Sequence, residues 1–260
     1  MSWWGKLAGG AFGFMLGGPL GALLGVALGN YFDGGLNAIG SAEALGHGDT
    51  ERVQTAFFTT TFSVMGYIAK SDGHISREEI ALAERVMEQM RLSPRQRQVA
   101  IDLFNEGRKD NFPLAQVLGQ FRREAARRST LLQMFLEIIV ATAFADGQID
   151  PRERELLQSI ASRLGFAPRQ LDQLLGRIAG EARFISTESK GEQLRAAYQL
   201  LGLSEGAGAT EVKKAYRRQM SQHHPDKLVA KGLPDEMMEI ATRKTQEIKA
   251  AYELIKASGK

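Results

Sequence analysis

The chain has 260 residues, which is enough for about two domains of ordinary size. It contains no cysteine, and this excludes both a disulfide framework and a zinc site built on thiolates. The formal net charge is +3, but residues 195–260 hold 12 Lys and Arg against 8 Asp and Glu, whereas the rest holds 21 against 22. The basic C-terminal part favours an acidic partner. Nucleic acid is disfavoured as that partner, because no aromatic stacking residues or nucleic-acid motif accompany the charge.

The N-terminal part contains an uncharged segment that is long enough to cross a membrane. After a short tail of residues 1–6, the 26 residues from Leu7 to Phe32 carry no charge. As a helix they would extend about 39 Å, more than the hydrocarbon core of about 30 Å. Aromatic residues flank both ends, as at membrane interfaces. We predict a transmembrane helix over residues 7–32. A cleaved signal peptide is the alternative, although its apolar stretch is usually only about 7–15 residues long.

Glycines recur at every fourth position of this segment: Gly9, Gly13, Gly17, Gly21, Gly25 and Gly29. A ridge without side chains lets a second helix approach closely, so that dispersion contacts drive association in lipid. We therefore predict pairing of two copies, a homodimer, through these glycines. The alternative is a weakly helical segment, which Pro19 would favour because it removes one backbone hydrogen bond. Residues 33–52 are expected to be a juxtamembrane linker.

An internal repeat marks the middle of the chain. The sequence AKSDGHISREE, residues 69–79, recurs 74 residues later as AFADGQIDPRE, residues 143–153. Each copy predicts a helix, a tight Asp-Gly turn and a capped helix, the caps being Ser76 with Glu79 and Asp150 with Glu153. Further helices are expected from Pro94, Leu114 and Pro168, with the apolar residues 131–145 at the buried centre. The two copies predict one all-α domain over residues 53–180.

The paired Asp-Gly-x-Ile signatures resemble the TerB-like fold of tellurite-resistance proteins. A calcium loop is the competing interpretation, with Gly73 and Gly147 at the sharp turn and Glu79 and Glu153 as bidentate ligands. The first and third ligand positions would then hold Ile68 and Lys70, or Thr142 and Phe144, and none of these is a carboxylate. Turn and cap chemistry explains the same residues. We therefore predict neither a metal site nor another cofactor.

The C-terminal part predicts a helix with two distinct faces. Residues 181–194 are polar and predict a flexible tether before it. Thr210 is a candidate N-cap, and Pro225 should end the helix because it lacks an amide donor. At about 100° per residue, one arc holds Val212, Ala215, Tyr216 and Met220, and the opposite arc holds Lys213, Lys214, Arg217 and Arg218. The first arc should pack inside and the four cations should face water.

The order of motifs in residues 195–260 resembles a J-domain, the part of DnaJ-type co-chaperones that triggers ATP hydrolysis in a DnaK-type chaperone. The motifs are Tyr198, Leu201 and Gly202, then Lys-Ala-Tyr-Arg-Arg, then His-Pro-Asp, and finally Ala-Tyr-Glu. The resemblance implies that Lys213, Tyr216, Arg217 and Arg218 dock on the chaperone and that His224, Pro225 and Asp226 form the trigger. We expect Asp226 to accept a charge-assisted pair from a partner arginine, with His224 orienting the loop by a hydrogen bond. A zinc pair at His223 and His224 is disfavoured, since neighbours on a helix point about 100° apart.

The whole chain resembles the DjlA family of membrane-anchored DnaJ-like co-chaperones, in which a glycine-rich anchor, a TerB-like domain and a C-terminal J-domain follow in this order. The resemblance implies a protein that recruits a DnaK-type chaperone to the bacterial inner membrane and stimulates its ATPase. Lys6 before the span, and no Lys or Arg in the 18 residues after it, would leave the tail inside by charge alone. Because the partner and ATP are cytoplasmic, we expect the opposite: the N-terminus periplasmic and the bulk cytoplasmic.

An enzyme is not predicted. The sequence shows no nucleophile elbow and no spaced His and carboxylate cluster. The glycine run lacks the Gly-Lys-Ser/Thr ending of a phosphate-binding loop. The alternative function is a membrane-tethered TerB-type stress or metal-response sensor with a J-like interaction module.

Overall fold

The computed structural model describes residues 17–28, 49–70, 77–187, 189–231, 233–234 and 237–258. All regular structure in these ranges is helical, as the sequence predicts. In chain order the helices are α1 (17–28), α2 (Asp49–Ile68), α3 (Arg77–Gln89), α4 (Pro94–Gly107), α5 (Leu114–Glu124), α6 (Ser129–Ala143), α7 (Pro151–Leu164), α8 (Pro168–Ser186), α9 (Lys190–Leu200), α10 (Ala209–His223), α11 (Pro225–Val229) and α12 (Met238–Ser258).

Local capping chemistry fixes where the helices of the repeat begin. At α7, Asp150 Oδ1 accepts from the Glu153 amide at 2.8 Å, and Glu153 Oε2 accepts from the Asp150 amide at 2.9 Å. This reciprocal box confirms the predicted cap, and Pro151 occupies the first helical position. The corresponding cap of the first copy, Ser76 with Glu79, lies outside the described residues. Each satisfied amide would otherwise lack a partner at the helix start.

Two glycines allow α2 and α4 to touch through their backbones. A Cβ atom at Gly66 would lie 1.9 Å from the Phe104 carbonyl oxygen, and one at Gly107 would lie 1.7 Å from the Ser63 carbonyl oxygen. No larger residue fits either position without moving a helix. The close crossing places α2 beside α6, where Phe57 packs edge to face against Phe135 and against Phe121 of α5.

Helix α6 is the buried centre of the central domain, as the apolar run predicts. Leu131, Phe135, Leu136, Ile139 and Val140 are almost completely inaccessible to solvent. One charged residue, Glu137, lies in this run and is also buried. Its partners lie on α6 itself, on α8 and in the C-terminal segment, and are described below.

The predicted tether is wrong: residues 181–186 complete α8, and α9 begins at Lys190. The Glu181 carboxylate at the start of this stretch is not solvated but pairs with Lys244 of α12. Gly180 packs so closely on α9 that an added Cβ would lie 2.5 Å from Gln199 Cβ. The C-terminal segment is therefore packed on the central domain.

The C-terminal helices α9, α10 and α12 form a small core of their own, which includes Leu201, Val212 and Ile248. The predicted cap at Thr210 is wrong, since Gly208 precedes α10 and its amide donates to Glu211 Oε2 at 3.3 Å. Glycine leaves this position without a capping side chain, and the Glu211 carboxylate satisfies the exposed amide instead.

Helix α1 covers residues 17–28 of the predicted span 7–32, and the remainder of that span lies outside the described residues. Leu20, Leu23 and Ala27 of α1 are buried against the core of the central domain. The Gln120 side chain accepts from the Leu20 amide at 3.0 Å and donates to the Gly17 carbonyl at 2.6 Å. Among the described residues, no helix combines the length and apolar character needed to cross a bilayer.

Three of the six glycines predicted to pair two copies, Gly17, Gly21 and Gly25, lie on α1, and Gly21 is buried there. Gly9, Gly13 and Gly29 lie outside the described residues. The predicted linker 33–52 is also partly described, and its last four residues belong to α2 rather than to a linker.

Candidate chaperone-docking site and its support

The tripeptide His224-Pro225-Asp226 forms an exposed corner between α10 and α11. Helix α10 ends at His223, and His224 has extended backbone angles, φ −63° and ψ 123°. Pro225 ends α10 as predicted and also starts α11, because its fixed φ suits a first helical position. The Asp226 side chain is 86% exposed and is therefore free to meet a partner.

The two polar side chains of this corner lie close together but do not share a hydrogen bond. His224 Nδ1 lies 4.0 Å from Asp226 Oδ2, which is longer than a hydrogen bond. That His224 orients the loop by a hydrogen bond stays a prediction.

The two faces of α10 are arranged as predicted. Lys213, Lys214, Arg217 and Arg218 are all exposed on one side. On the other side Val212 and Ala215 are buried, and the Tyr216 ring stacks on Tyr252 with ring centroids 4.2 Å apart. Tyr216 is thus only partly accessible and packs α10 on α12. Its docking role stays a prediction, as do those of the cations.

His223, directly before the trigger, is buried and bonded on both sides. Its Nδ1 lies 2.9 Å from the Gln219 carbonyl oxygen, and its Nε2 lies 2.8 Å from Glu137 Oε2 on α6. A carbonyl and an ionised carboxylate can only accept hydrogen bonds. Both ring nitrogens are therefore placed to donate hydrogen bonds.

Glu137 is the centre of a buried polar network between α6, α8 and α10. Arg177 of α8 donates to Glu137 Oε1 at 3.0 Å and to the Gln219 side chain at 2.7 Å. Gln133 also donates to Glu137 Oε1, at 3.1 Å. Burial alone would raise the pKa of Glu137, but the charges of His223 and Arg177 outweigh it and hold that pKa well below its usual range. Glu137 is therefore an ionised carboxylate, and each of the side chains bonded to it donates the hydrogen bond.

A second ionic group joins α8 to α12 beside this network. Burial opposes the charge of Lys244, but the Glu181 carboxylate outweighs it and the pKa of Lys244 is raised. Burial and the negative charge of Glu181 raise the pKa of Glu247 to about 7. These residues line a cavity of about 460 Å³ between the central and C-terminal segments, with apolar walls that include Val86, Met134 and Ile138.

The sequence contains a signal for this network that sequence reasoning missed. Between Ser129 and Ala145, Glu137 is the one charged residue in an otherwise apolar helix. A buried charge needs a partner, so its position indicates a contact with a basic residue elsewhere. Periodicity cannot identify that partner, because His223 is 86 residues away in the chain.

The loop after the trigger is held on the central domain as well. Lys231 Nζ donates to Thr130 Oγ1 on α6 at 2.6 Å. Leu228 and Leu233 are fully buried in the hydrophobic core of the central domain. The trigger therefore lies between two contacts with the same domain.

Within the part of the chain that the structure describes, no three His, Asp or Glu side chains form a group that could hold a metal ion. The second copy of the repeat instead uses its acidic residues for turn and cap bonds, with Asp146 Oδ1 accepting from the Gln148 amide at 3.0 Å. The first copy of the turn lies outside the described residues.

Three family models match the chain and together cover most of it. They are the co-chaperone DjlA transmembrane domain over residues 1–40, the tellurite resistance protein TerB over residues 59–175 and the DnaJ domain over residues 196–260. No solved structure matches the chain at a significant level.

Relatives described as co-chaperone protein DjlA match over nearly their full length. The protein of Photobacterium profundum is 44% identical over 274 residues, covering 97% of this chain and 98% of the relative. That of Shewanella oneidensis is 45% identical over 261 residues, covering 99% and 98%. That of Vibrio cholerae is 44% identical over 279 residues, covering 98% of each. With the three domain matches in the order that the motifs indicate, this chain belongs to the DjlA family of J-domain co-chaperones.

Proposed function

We propose that the chain recruits a DnaK-type chaperone to a membrane surface and stimulates its ATPase through the corner His224-Pro225-Asp226. The observation that carries the proposal is the joint exposure of Asp226 and of the four cations on α10, while Val212 and Ala215 on the opposite face of α10 are buried. The chain would then regulate the ATPase of another protein rather than act as an enzyme.

The geometry suits a two-step encounter. The cations Lys213, Lys214, Arg217 and Arg218 would steer an acidic chaperone surface towards α10, since clustered charge increases association rates. Asp226 would then accept a charge-assisted, bidentate pair from a partner arginine. Because Pro225 already fixes the backbone of this corner, less conformational entropy is lost on binding.

The test measures steady-state ATP turnover of a DnaK-type chaperone with the full chain in lipid vesicles. His224→Gln and Asp226→Asn should each abolish the stimulation. Asp172→Asn is the matched control, because Asp172 is also an exposed carboxylate but pairs with Arg154 on the central domain. Equal stimulation by Asp226→Asn and wild type would refute the proposal, as would a wild-type protein that does not stimulate.

For the membrane we propose a single span over residues 7–32, with the N-terminus periplasmic and the bulk of the chain in the cytoplasm. Insertion of the span would replace the packing of α1 on the central domain. The match of residues 1–40 to a transmembrane family model supports the anchor. Because the chain has no cysteine, Ser2→Cys provides a unique thiol in the tail. A membrane-impermeant maleimide should label it in spheroplasts before lysis. Labelling only after lysis would reverse the proposed orientation.

We further propose that the anchors of two copies pair through Gly9, Gly13, Gly17, Gly21, Gly25 and Gly29. The four-residue spacing supports this, since it forms one small-residue ridge. Gly17→Ile and Gly21→Ile should weaken energy transfer between labelled full chains in vesicles, whereas Leu24→Ile, off the ridge, should not. Unchanged transfer in the glycine variants would refute pairing through this ridge.

A further inference from the structure

The trigger corner is bracketed by two contacts with a single helix of the central domain. On its N-terminal side, His223 meets Glu137 at 2.8 Å. On its C-terminal side, Lys231 donates to Thr130 at 2.6 Å. Both partners lie on α6, which contributes no residue to the corner itself.

Thr130 and Glu137 face the same direction on α6. They are seven residues apart, which is about two helical turns and roughly 10 Å along the axis. Residues 224–230 therefore pass over one face of α6 and are fixed at both ends. Between these ends, Leu228 is fully buried in the central core.

The N-terminal contact is the stronger of the two, because it is buried and charged. The side chains of His223 and Glu137 are only 5% and 8% exposed. Arg177 links the pair to Gln219, one turn earlier on α10, so the last turn of that helix is held at two positions. Charge-assisted bonds in a buried setting fix geometry more tightly than exposed ion pairs do.

We propose that Glu137, supported by Arg177, is a positioning residue that presents the trigger to the chaperone without touching it. The central domain and the J-segment then act as one unit, and α6 is the platform for the corner. This inference rests on the proposed function, and it adds a role in the chaperone interaction for the TerB-like domain.

The arrangement does not block the docking surface. Lys213, Lys214, Arg217 and Arg218 are exposed, as are His224 and Asp226. The contacts with α6 instead use His223, which is buried, and Lys231, which lies beyond the corner. The packed state is therefore competent to bind. Fixing the corner beforehand reduces the ordering cost of binding.

Two readouts on the full chain test the platform. Glu137→Gln removes the negative charge but keeps the size of the side chain, and it should raise the concentration for half-maximal ATPase stimulation about three- to tenfold. The maximal stimulation should not change, because the trigger residues are intact. His223→Gln, whose amide can still donate to Glu137, should have a smaller effect. Amide hydrogen exchange over residues 223–231 should accelerate in Glu137→Gln.

The matched control is Glu239→Gln. Glu239 pairs with Arg91 across the same two segments, but at an exposed position and without contact to α10. The Glu239→Gln substitution should leave both the half-maximal concentration and the exchange rates within about twofold of wild type, because exposed ion pairs contribute little.

A covalent link separates positioning from a purely structural role. Thr130→Cys and Lys231→Cys, joined by a short bismaleimide, should return the half-maximal concentration of Glu137→Gln to the wild-type range. Failure of the link to restore it, or no effect of Glu137→Gln on either readout, would overturn the inference. If the wild type does not stimulate the chaperone, the proposed function fails, and the exchange rates still decide whether Glu137 holds the corner.

Discussion

Glu137 and His223 are separated by 86 residues in the chain, yet their side chains form a buried ion pair at 2.8 Å. The pair joins the middle helix of the central domain to the residue that precedes the trigger. Arg177 and Gln219 extend it to one connected network. The pair links the TerB-like domain directly to the J-segment.

The ion pair should dominate the stability of the interface. Glu137→Leu leaves His223 and Arg177 buried without their carboxylate, which should reduce the free energy of unfolding by about 3–5 kcal/mol. The double variant Glu137→Leu with His223→Leu should recover part of this loss, because no buried imidazole is left without its partner. Chemical denaturation of the four proteins of this cycle in detergent measures the coupling. Strictly additive losses would show that the two side chains do not interact.

Loss of the proton from the Glu247 side chain should weaken the interface as pH rises towards neutrality. Its pKa is raised from about 4.5 to about 7 by burial and by Glu181, so the folded protein binds this proton more tightly than the unfolded chain. The resulting stability is fully present below about pH 4.5 and is lost between about pH 4.5 and 7. Lys244 and Arg243 of α12 also face this carboxylate and limit the shift, and Arg85 of α3 lines the same cavity.

Glu247→Gln isolates this effect. As the pH rises from about 5 to 7.5, the thermal midpoint of the wild type should fall by more than that of the variant. Each 1 kcal/mol lost from the free energy of unfolding should lower the midpoint by on the order of 2–4 °C. The pKa values of Glu137 and Glu181 are lowered, so their contributions are lost only as pH falls below the usual range of a glutamate. Parallel midpoint curves for wild type and Glu247→Gln would contradict the assignment.

Much of the fold could be predicted because it depends on local chemistry. Asp150 with Glu153 marks a helix start by cap spacing alone, and Pro225 marks a helix end because it lacks an amide donor. The apolar run of α6 indicates a buried helix without reference to any other segment. The exposed cations of α10 follow from periodicity in the same way.

The errors and omissions concern residues whose environment is set by distant segments. Residues 181–194 are polar enough for a tether, but Glu181 finds Lys244 across the interface and the stretch becomes helical. Thr210 has the chemistry of a cap, yet α10 begins two residues earlier than that cap would place it, and Glu211 bonds the Gly208 amide. The partner of Glu137 could not be identified, since its contact depends on how the two domains pack.

Two glycines should respond in opposite ways to an added methyl group: one lies at the contact between α2 and α4, and the other lies at an open position of α8. Gly107→Ala should destabilise the chain by about 2 kcal/mol or more, because its Cβ would clash with the Ser63 backbone. Gly176→Ala should instead stabilise by about 0.5–1 kcal/mol, since Gly176 lies inside α8 with nothing within 4 Å of its Cβ position. Thermal unfolding of both variants measures the contrast. A neutral Gly107→Ala would refute the close backbone crossing.

The cations of α10 should act on the rate of encounter with the chaperone. Lys213→Gln with Arg217→Gln should lower the association rate and flatten its dependence on salt, because exposed charges steer approach. Arg152→Gln, a loss of exposed charge on α7 of the central domain, is the control. Stopped-flow association at two ionic strengths gives both quantities. An unchanged salt dependence in the α10 variant would place the docking surface elsewhere.

Single-turnover ATP hydrolysis by a DnaK-type chaperone, at a saturating concentration of the full chain, tests the role of Asp226 most directly. Loss of one charge-assisted pair of about 1.5–3 kcal/mol should slow the stimulated step about tenfold or more in Asp226→Asn. Asp172→Asn should match the wild type. A stimulated rate in Asp226→Asn equal to that of the wild type would contradict the account.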